Sequence, residues 1–484
     1  MSLDPPTYIL SLQNNTRARP ISWEGAVRAK TISDADLNKI KSIDKVRKEQ
    51  RRQTVEQDLP GFTALLLGGP KDGSPSIFQS AAKRPDIVQY MLVLVGDCID
   101  EIPPLVTSML KHPSPFKPFL PLLKSTSSNP EDPIPLLASS VLSSLISAAV
   151  IASSSSAPSQ KHIDEALPQL YGYVATLVKS TDAGLQDIGV QEYSALLRST
   201  RAREIFWDMR DTTLAPLMDI LRAAAGTSKD GDSTLWSGGS SARTVTETGI
   251  SGGVGIQLLY HCLLVVWQLS FEGEMVGDGL HDEHDILILY VQLTRISPKE
   301  KTTRLLLSTL RNLLSTNRTS LLPAAVLARL PALLQNVAGR HLTDLDLLED
   351  LQALREMLDD YTKTQTTFDE YAAEVRSGHL RWSPPHRSEA FWRENARRIL
   401  EAANGELPRK LADIMAKSWD HDRQVLAVGC NDVACLVREV PEKRPMLEKL
   451  GLKTRVMELM QSGDEAVRWE SLRAVGEWLR YSFE

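Results

Sequence analysis

Aromatic residues fill only 6% of the 484 positions, cysteine supplies four, and acidic side chains outnumber basic ones by just six. Each shortage excludes something. Four cysteines (Cys98, Cys262, Cys430, Cys435) in so long a chain make no disulfide framework, which fits a reducing cytosol. Without a basic surplus there is no electrostatic footprint for nucleic acid and no polybasic patch for anionic lipid. Met1-Ser2-Leu3-Asp4-Pro5-Pro6 lacks the basic start and apolar run of a secretory signal. The longest apolar stretch, Val254 to Leu269, is interrupted by Gln257, His261 and Gln268, and falls short of the about 20 residues that a bilayer-spanning helix needs. Strand signals are nearly absent as well: few Val/Ile/Thr alternations occur, and no Asn-Gly or Asp-Gly dipeptide sits between two alternating runs.

What is present is apolar (42%), charged (24%) and periodic. That apolar fraction excludes a disordered chain, and the length allows two to four ordinary domains or one long repeat array. Leu, Ala, Arg and Glu recur at three-and-four spacing, so the chain reads as all-α. One predicted helix runs from Leu342 to Leu358, with Leu345, Leu348, Leu351, Leu354 and Leu358 along one face and Thr343 with Asp346 as a capping box. Another spans Thr302 to Leu314, set off by Ser297-Pro298. Nine prolines between Pro103 and Pro135 call for short helices and turns. Ser153 to Ser159 and Gly226 to Gly253 read as loops.

Charge is distributed unevenly. Residues 1–340 hold 34 Lys+Arg and 34 Asp+Glu, whereas 341–484 hold 21 and 27, so the whole deficit lies in the last third. We read this shift as a separate C-terminal unit, either a more solvated small domain or an acidic docking face.

An internal repeat points to the architecture. Aligning Asp422-Arg-Gln-Val425 with Asp464-Glu-Ala-Val467 superimposes Cys430 on Leu472, Val433 on Val475 and Leu436 on Trp478 at an offset of 42, and Asp182, Leu185, Val190, Tyr193 and Leu196 follow the same spacing. In each case an Asp is expected to cap a helix whose apolar face then falls at +3, +8, +11 and +14. Units of about 42 residues fit armadillo or HEAT repeats, which stack into an α-solenoid because one unit cannot bury its own apolar face.

Several constellations could carry chemistry. Asp278-Gly-Leu-His281-Asp-Glu-His284-Asp285 could ligate a divalent metal, but no distant third ligand can be named and we read it as a polar loop between helices that feeds the helix at Ile286. Gly249-Ile-Ser-Gly252-Gly253-Val-Gly255 lacks the Gly-Lys-Ser/Thr of a phosphate loop and reads as a lead into the helix at Ile256. Cys430, Cys435 and His261 read as core residues. Phe391-Trp392-Arg393-Glu394-Asn395 is either an interface anchor or a helix packing Phe391, Trp392 and Ile399 inward. None of these sets makes an active site, and we expect no catalytic residue, no metal and no cofactor.

The densest motifs lie after residue 360: Phe368-Asp-Glu-Tyr371, Ser377-Gly-His-Leu-Arg-Trp382-Ser383-Pro384-Pro385-His386, Phe391 to Asn395, Val425-Leu-Ala-Val428, Asn431-Asp432-Val433, Val456 to Met460, and Val467-Arg-Trp-Glu-Ser-Leu472-Arg-Ala-Val475. Through them, with Trp23-Glu24, Ile32-Ser33 and Ser76-Ile77-Phe78 nearer the start, the sequence resembles the H subunit of the vacuolar-type proton-pumping ATPase (V-ATPase). The resemblance implies a large N-terminal and a smaller C-terminal armadillo/HEAT-like solenoid, 1–361 and 362–484, joined by a short hinge. It implies a non-catalytic regulatory subunit on the cytosolic face of vacuolar and other endomembranes. Such a protein couples ATP hydrolysis to proton transport and silences hydrolysis by the detached soluble sector. The partners it implies are the E and G subunits of the peripheral stalk, the cytoplasmic domain of the a subunit, and the catalytic head and rotor after detachment. By position, the family's inhibitory loop corresponds to Ala416 to Arg423. The candidate interface is thus Trp382, Phe391, Trp392, Arg393, Lys417, Trp419, Asp420 and Arg423. Two further readings stay open: an armadillo adaptor binding an extended peptide, and a metal-dependent enzyme centred on His281 and His284.

Overall fold

A computed structural model of the chain describes residues 7–70, 73–124, 131–151, 160–226, 254–297, 299–419 and 422–480. Both loops expected from composition lie almost wholly outside the described residues, as does Asp420. Among the described residues every regular element is a helix, and the protein is an all-α, armadillo/HEAT-like repeat structure. These residues form two compact units. One runs to Ala224 and is completed by the helix Ile256–Leu269 and the short turn Ser270–Glu272, and the other runs from Gly273 onward.

In the first unit the helices Pro85–Glu101, Pro133–Ile151, Gln160–Val178, Ala183–Leu196 and Ile256–Leu269 pack one on the next. Asp182 starts Ala183–Leu196 as expected, its Oδ1 accepting from Leu185 N at 2.9 Å. Leu185, Val190, Tyr193 and Leu196 are all buried at +3, +8, +11 and +14. Tyr171, Tyr193 and Phe206 meet edge-on with centroids 5.0–5.8 Å apart, and the Tyr171 hydroxyl donates to Ala202 O at 3.1 Å. The prolines act as forecast up to Leu123, with a single two-turn helix Pro103–Leu110 and a 3₁₀ turn Leu120–Leu123. Pro133 instead opens a helix of 19 residues, where a proline at the first turn forfeits no hydrogen bond. Pro133–Ile151 is long and apolar enough to cross a bilayer, yet 67% of it is buried inside this unit, as befits a core helix.

In the second unit the expected leucine face holds from Leu351 onward but not in the first turn. The helix is Leu345–Thr364, its buried line is Leu347, Leu351, Leu354 and Leu358, and Leu345 and Leu348 are 79% and 39% exposed. The expected Thr343/Asp346 box is replaced for two local reasons. Asp344 caps the helix by accepting from Asp346 N and Leu347 N, and Thr343 turns back to donate N–H and O–H to Glu300. Asp278 to His284 is likewise helical rather than a loop. Gly277 and Gly273 allow the helix Gly273–His284 to lie against Asn317 and Thr316, where a Cβ would come within 2.1–2.3 Å of their side chains.

The C-terminal repeats occupy Gln424–Glu439 and Glu465–Arg480, which pack along most of their lengths. Asp464 caps the second through Val467 N at 3.0 Å. Asp422 caps nothing, because its carboxylate is drawn to His379 Nε2 at 3.0 Å. In Gln424–Glu439 all four periodic positions, Val425, Cys430, Val433 and Leu436, are fully buried. In the last helix Val467 and Trp478 are buried, but Leu472 is 51% exposed.

Candidate interaction site

The densest local network lies where the sequence motifs are densest, in the segment that joins Thr367–Ser377 to Glu389–Glu401. Thr366 and Asp369 form a reciprocal capping box at the start of the first helix, and Gly378, at φ 77°, ends it in the left-handed conformation that glycine tolerates. That ending turns the chain back under its own helix. Glu374 then accepts from Arg381 N at 2.6 Å, from Ser383 Oγ at 2.7 Å and from His386 Nε2 at 3.1 Å. The other ring nitrogen of His386 reaches Asp432 Oδ1 at 2.7 Å, in the middle of the apolar helix Gln424–Glu439. All three side chains are buried.

The proton inventory of this triad is constrained by geometry. A neutral imidazole has one N–H, whereas both ring nitrogens here face carboxylate oxygens, so the imidazolium satisfies both contacts. Burial alone would lower the His386 pKa, but Asp432 and Glu374 outweigh it and raise it to about 10. Burial works against Glu374 too, yet its donors, His386 first, keep its pKa below the ordinary value. For Asp432 burial wins and the pKa rises, despite His386 and Asn431. The surroundings close the network: His386 O accepts from Trp392 Nε1 at 3.3 Å and from Asn431 Nδ2 at 2.9 Å, and Arg473 donates to Asn431 Oδ1. Chemically this is a staple joining helices, with no open face for a substrate.

A second cluster lies closer to the surface. His379 pairs with Asp422 and meets Trp419 edge-on at 5.1 Å, and burial holds its pKa below the usual histidine value against the pull of Asp422. Trp419 sits at φ 52°, unusual for a bulky residue, and is held there by Nε1 donating to Ile414 O at 2.7 Å. The Lys417 ammonium stands 5.6 Å from the centre of its ring. Arg455 anchors the same turn from beneath, donating to Met415 O at 2.7 Å and Lys417 O at 3.3 Å. Nearby in sequence, the half-buried Trp382 carries the Arg387 guanidinium 5.3 Å from its ring centre.

The candidate interface residues are thereby divided. Phe391 and Trp392, 4% and 1% exposed, face inward with Ile399 and cannot anchor a partner, because the buried stripe of Glu389–Glu401 carries them into the core against Tyr371. Arg393 is exposed on the opposite side of that helix. Lys417 and Arg423 are exposed and Trp419 is half-buried, while Asp420 lies outside the described residues. The structure thus brings Lys417 and Trp419 together and places His379 and Asp422 behind them, which sequence reasoning passed over. It also passed over Glu374, His386 and Asp432 as a set. The available signal was Asn431-Asp432, two polar residues inside an otherwise apolar run from Val425 to Val437. His281 and His284 close the last turn of their helix, and among the described residues no three His, Cys, Asp or Glu side chains gather into a metal site.

Fold and site together define an all-helical repeat protein whose buried charges fasten one helix to the next. The sequence comparisons narrow this class to one family. The N-terminal profile of the V-ATPase H subunit family matches residues 7–358, and its C-terminal profile matches 364–483. The chain belongs to the V-ATPase H subunit family. It is 33% identical to a V-type proton ATPase H subunit of Drosophila melanogaster over 240 residues, 49% of this chain and 50% of that protein. A probable V-type proton ATPase H subunit of Caenorhabditis elegans is also 33% identical, over 46% and 49% of the two chains. These two alignments span only about half of either relative's length. A probable V-type proton ATPase H subunit of Oryza sativa subsp. japonica is 26% identical over 94% of both chains. An engineered protein of known structure is similar over 97% of this chain and 93% of its own, at a TM-score of 0.38 and 13% identity.

Proposed function

We propose that the chain is a non-catalytic regulatory subunit of the soluble sector of a vacuolar-type proton-pumping ATPase. In the assembled pump it couples ATP hydrolysis to proton transport and so supports acidification of organelles. On the detached sector it inhibits hydrolysis. Its partners are the E and G subunits of the peripheral stalk, the cytoplasmic domain of the a subunit and, after detachment, the catalytic head and rotor. It reaches the cytosolic face of vacuolar and other endomembranes only as part of that complex. The observation that carries this reading is the pair of family profiles, which together run almost without a gap from residue 7 to residue 483.

The two profiles part between residues 358 and 364, and the helix Leu345–Thr364 ends there in the two-residue connection Gln365-Thr366. We propose 1–361 and 362–484 as the functional domains on that basis. The inhibitory surface we propose is made by the exposed Lys417 and Arg423 and the half-buried Trp419, with Trp382 and Arg393 as further contacts. A tethered tryptophan under a lysine is the kind of rigid, half-desolvated group that anchors an interface. The test adds purified chain to a detached soluble sector that lacks this component. Hydrolysis should slow in proportion to occupancy. Binding without any slowing would remove the inhibitory half of the proposal, and no binding would remove it entirely.

A further inference from the structure

An α-helix leaves its last carbonyls without partners inside the helix, so donors from outside it must satisfy them. At the end of Glu406–Ala416 three residues supply these donors. Lys417 N at 3.3 Å and Trp419 Nε1 at 2.7 Å both donate to Ile414 O. Arg455, on the helix Leu452–Leu459, donates through Nε to Met415 O at 2.7 Å and through Nη2 to Lys417 O at 3.3 Å. Its third nitrogen, Nη1, reaches Glu458 Oε2 at 3.0 Å within its own helix.

The guanidinium suits this place on three counts. Nε and Nη2 share one edge of a rigid plane, so a single side chain spans carbonyls two residues apart. Its charge meets the negative end of the helix dipole. Glu458 holds the outer nitrogen and fixes the direction of the plane. Beyond the helix the chain runs on with Lys417 extended, at φ −73° and ψ 157°, and Trp419 left-handed at φ 52°. A bulky residue stays in that conformation only where its surroundings over-determine it. Arg455 holds the backbone before Trp419. After it, Asp422 N donates to Trp419 O at 3.1 Å while the Asp422 carboxylate is tied to His379. Secured on both sides, the Lys417 ammonium and the centre of the Trp419 ring stand 5.6 Å apart before any partner arrives.

We infer that Arg455 is a positioning residue for the inhibitory surface: by clamping Met415 O and Lys417 O it holds Lys417 and Trp419 in the arrangement that the partner meets. This rests on the reading of Lys417, Trp419 and Arg423 as that surface. The clamp matters because a turn that must be ordered on binding gives up affinity to the entropy of ordering. Positive charge alone does not make such a clamp. Arg455→Lys keeps the charge, but an ammonium on a flexible stem is a point donor with no edge to lay across two carbonyls.

Hydrogen exchange and inhibition, both measured on the full chain carrying Arg455→Lys or Arg455→Met, test the inference. Both variants should speed exchange of the amides in 414–419 by roughly tenfold, while Gln424–Glu439 exchanges as in the parent. That comparison separates local loosening from loss of the fold, and Arg455→Lys carries the test if Arg455→Met does not fold. Both should also raise the concentration needed to inhibit a detached soluble sector by about tenfold. Unchanged exchange in 414–419 would overturn the inference, since the clamp would then hold nothing. So would inhibition at the parent's potency by either variant. The double variant Lys417→Glu/Arg423→Glu, measured alongside, tells the two readings apart. If it also inhibits fully, the proposed surface falls and this inference with it. If it fails to inhibit while Arg455→Lys inhibits fully, the surface stands and only the positioning role is lost.

Discussion

His386 Nδ1 stands 2.7 Å from Asp432 Oδ1, and both side chains are entirely removed from solvent. A buried pair of this kind adds little stability over apolar residues of the same shape, yet breaking it is costly because a charge is left without compensation. His386→Ala leaves two carboxylates, Glu374 and Asp432, facing the vacated space. The expected loss is about 3–5 kcal/mol, read from urea unfolding of the second unit. A loss below about 1 kcal/mol would show that the triad does not hold the helices together. The pH sign follows from the raised pKa of His386: its contribution is complete below the unfolded value of 6.5 and is lost as pH rises through about 10. The melting temperature of the parent chain should fall across that window more steeply than that of the variant.

Glu192 behaves in the opposite chemical sense in the first unit. Burial raises its pKa from 4.5 to about 8, even though Ser139 Oγ donates to Oε1 at 2.9 Å. A carboxyl group held protonated in the fold contributes stability that is complete below 4.5 and lost as pH rises through about 8. Glu192→Gln keeps an acceptor for Ser139 and removes the titration. The variant should match the parent near pH 4.5 and exceed it at pH 8.5 by on the order of 1–3 kcal/mol. Parallel stability curves for the two proteins would contradict the assignment.

Gly189 lies where Ala183–Leu196 comes close to Gln160–Val178. A Cβ there would meet Val178 Cγ2 at 2.8 Å, Leu177 Cβ at 3.1 Å and Val174 O at 3.2 Å. Alanine is favoured over glycine in a helix by about 1 kcal/mol, but a stiff β-branched side chain and a backbone oxygen cannot retreat independently. Gly189→Ala should therefore destabilise by about 1–3 kcal/mol. Calorimetry showing a gain in melting temperature would mean that the helices slide apart freely.

Lys417 and Arg423 are exposed, so charge reversal there tests the proposed inhibitory surface without disturbing the core. Lys417→Glu and Arg423→Glu should each raise the concentration needed to inhibit a detached soluble sector, by about tenfold in combination, with unchanged melting curves. Trp419→Ala should do the same at some cost in stability, since its ring packs against His379 and the core. Full inhibition by all three variants would place the inhibitory contact elsewhere.

The helices, the repeat offset and the family were legible along the chain before any packing was known. These depend on short-range regularities: apolar spacing of three and four, an Asp three residues before a buried position at 182 and 464, and motifs read in order. What each periodic residue faces was settled only by packing. Leu347 and not Leu345 is buried, Asp422 serves His379 in place of a helix start, and Phe391 and Trp392 turn inward. Packing also paired His386 with Asp432 across 46 residues, which no local pattern encodes, because the cost of burying either charge is offset only when the fold brings the other within reach. It left Leu472 in solvent at the same repeat position where Cys430 is buried. Periodicity says which residues share a face, but burial is a property of the neighbour that covers it.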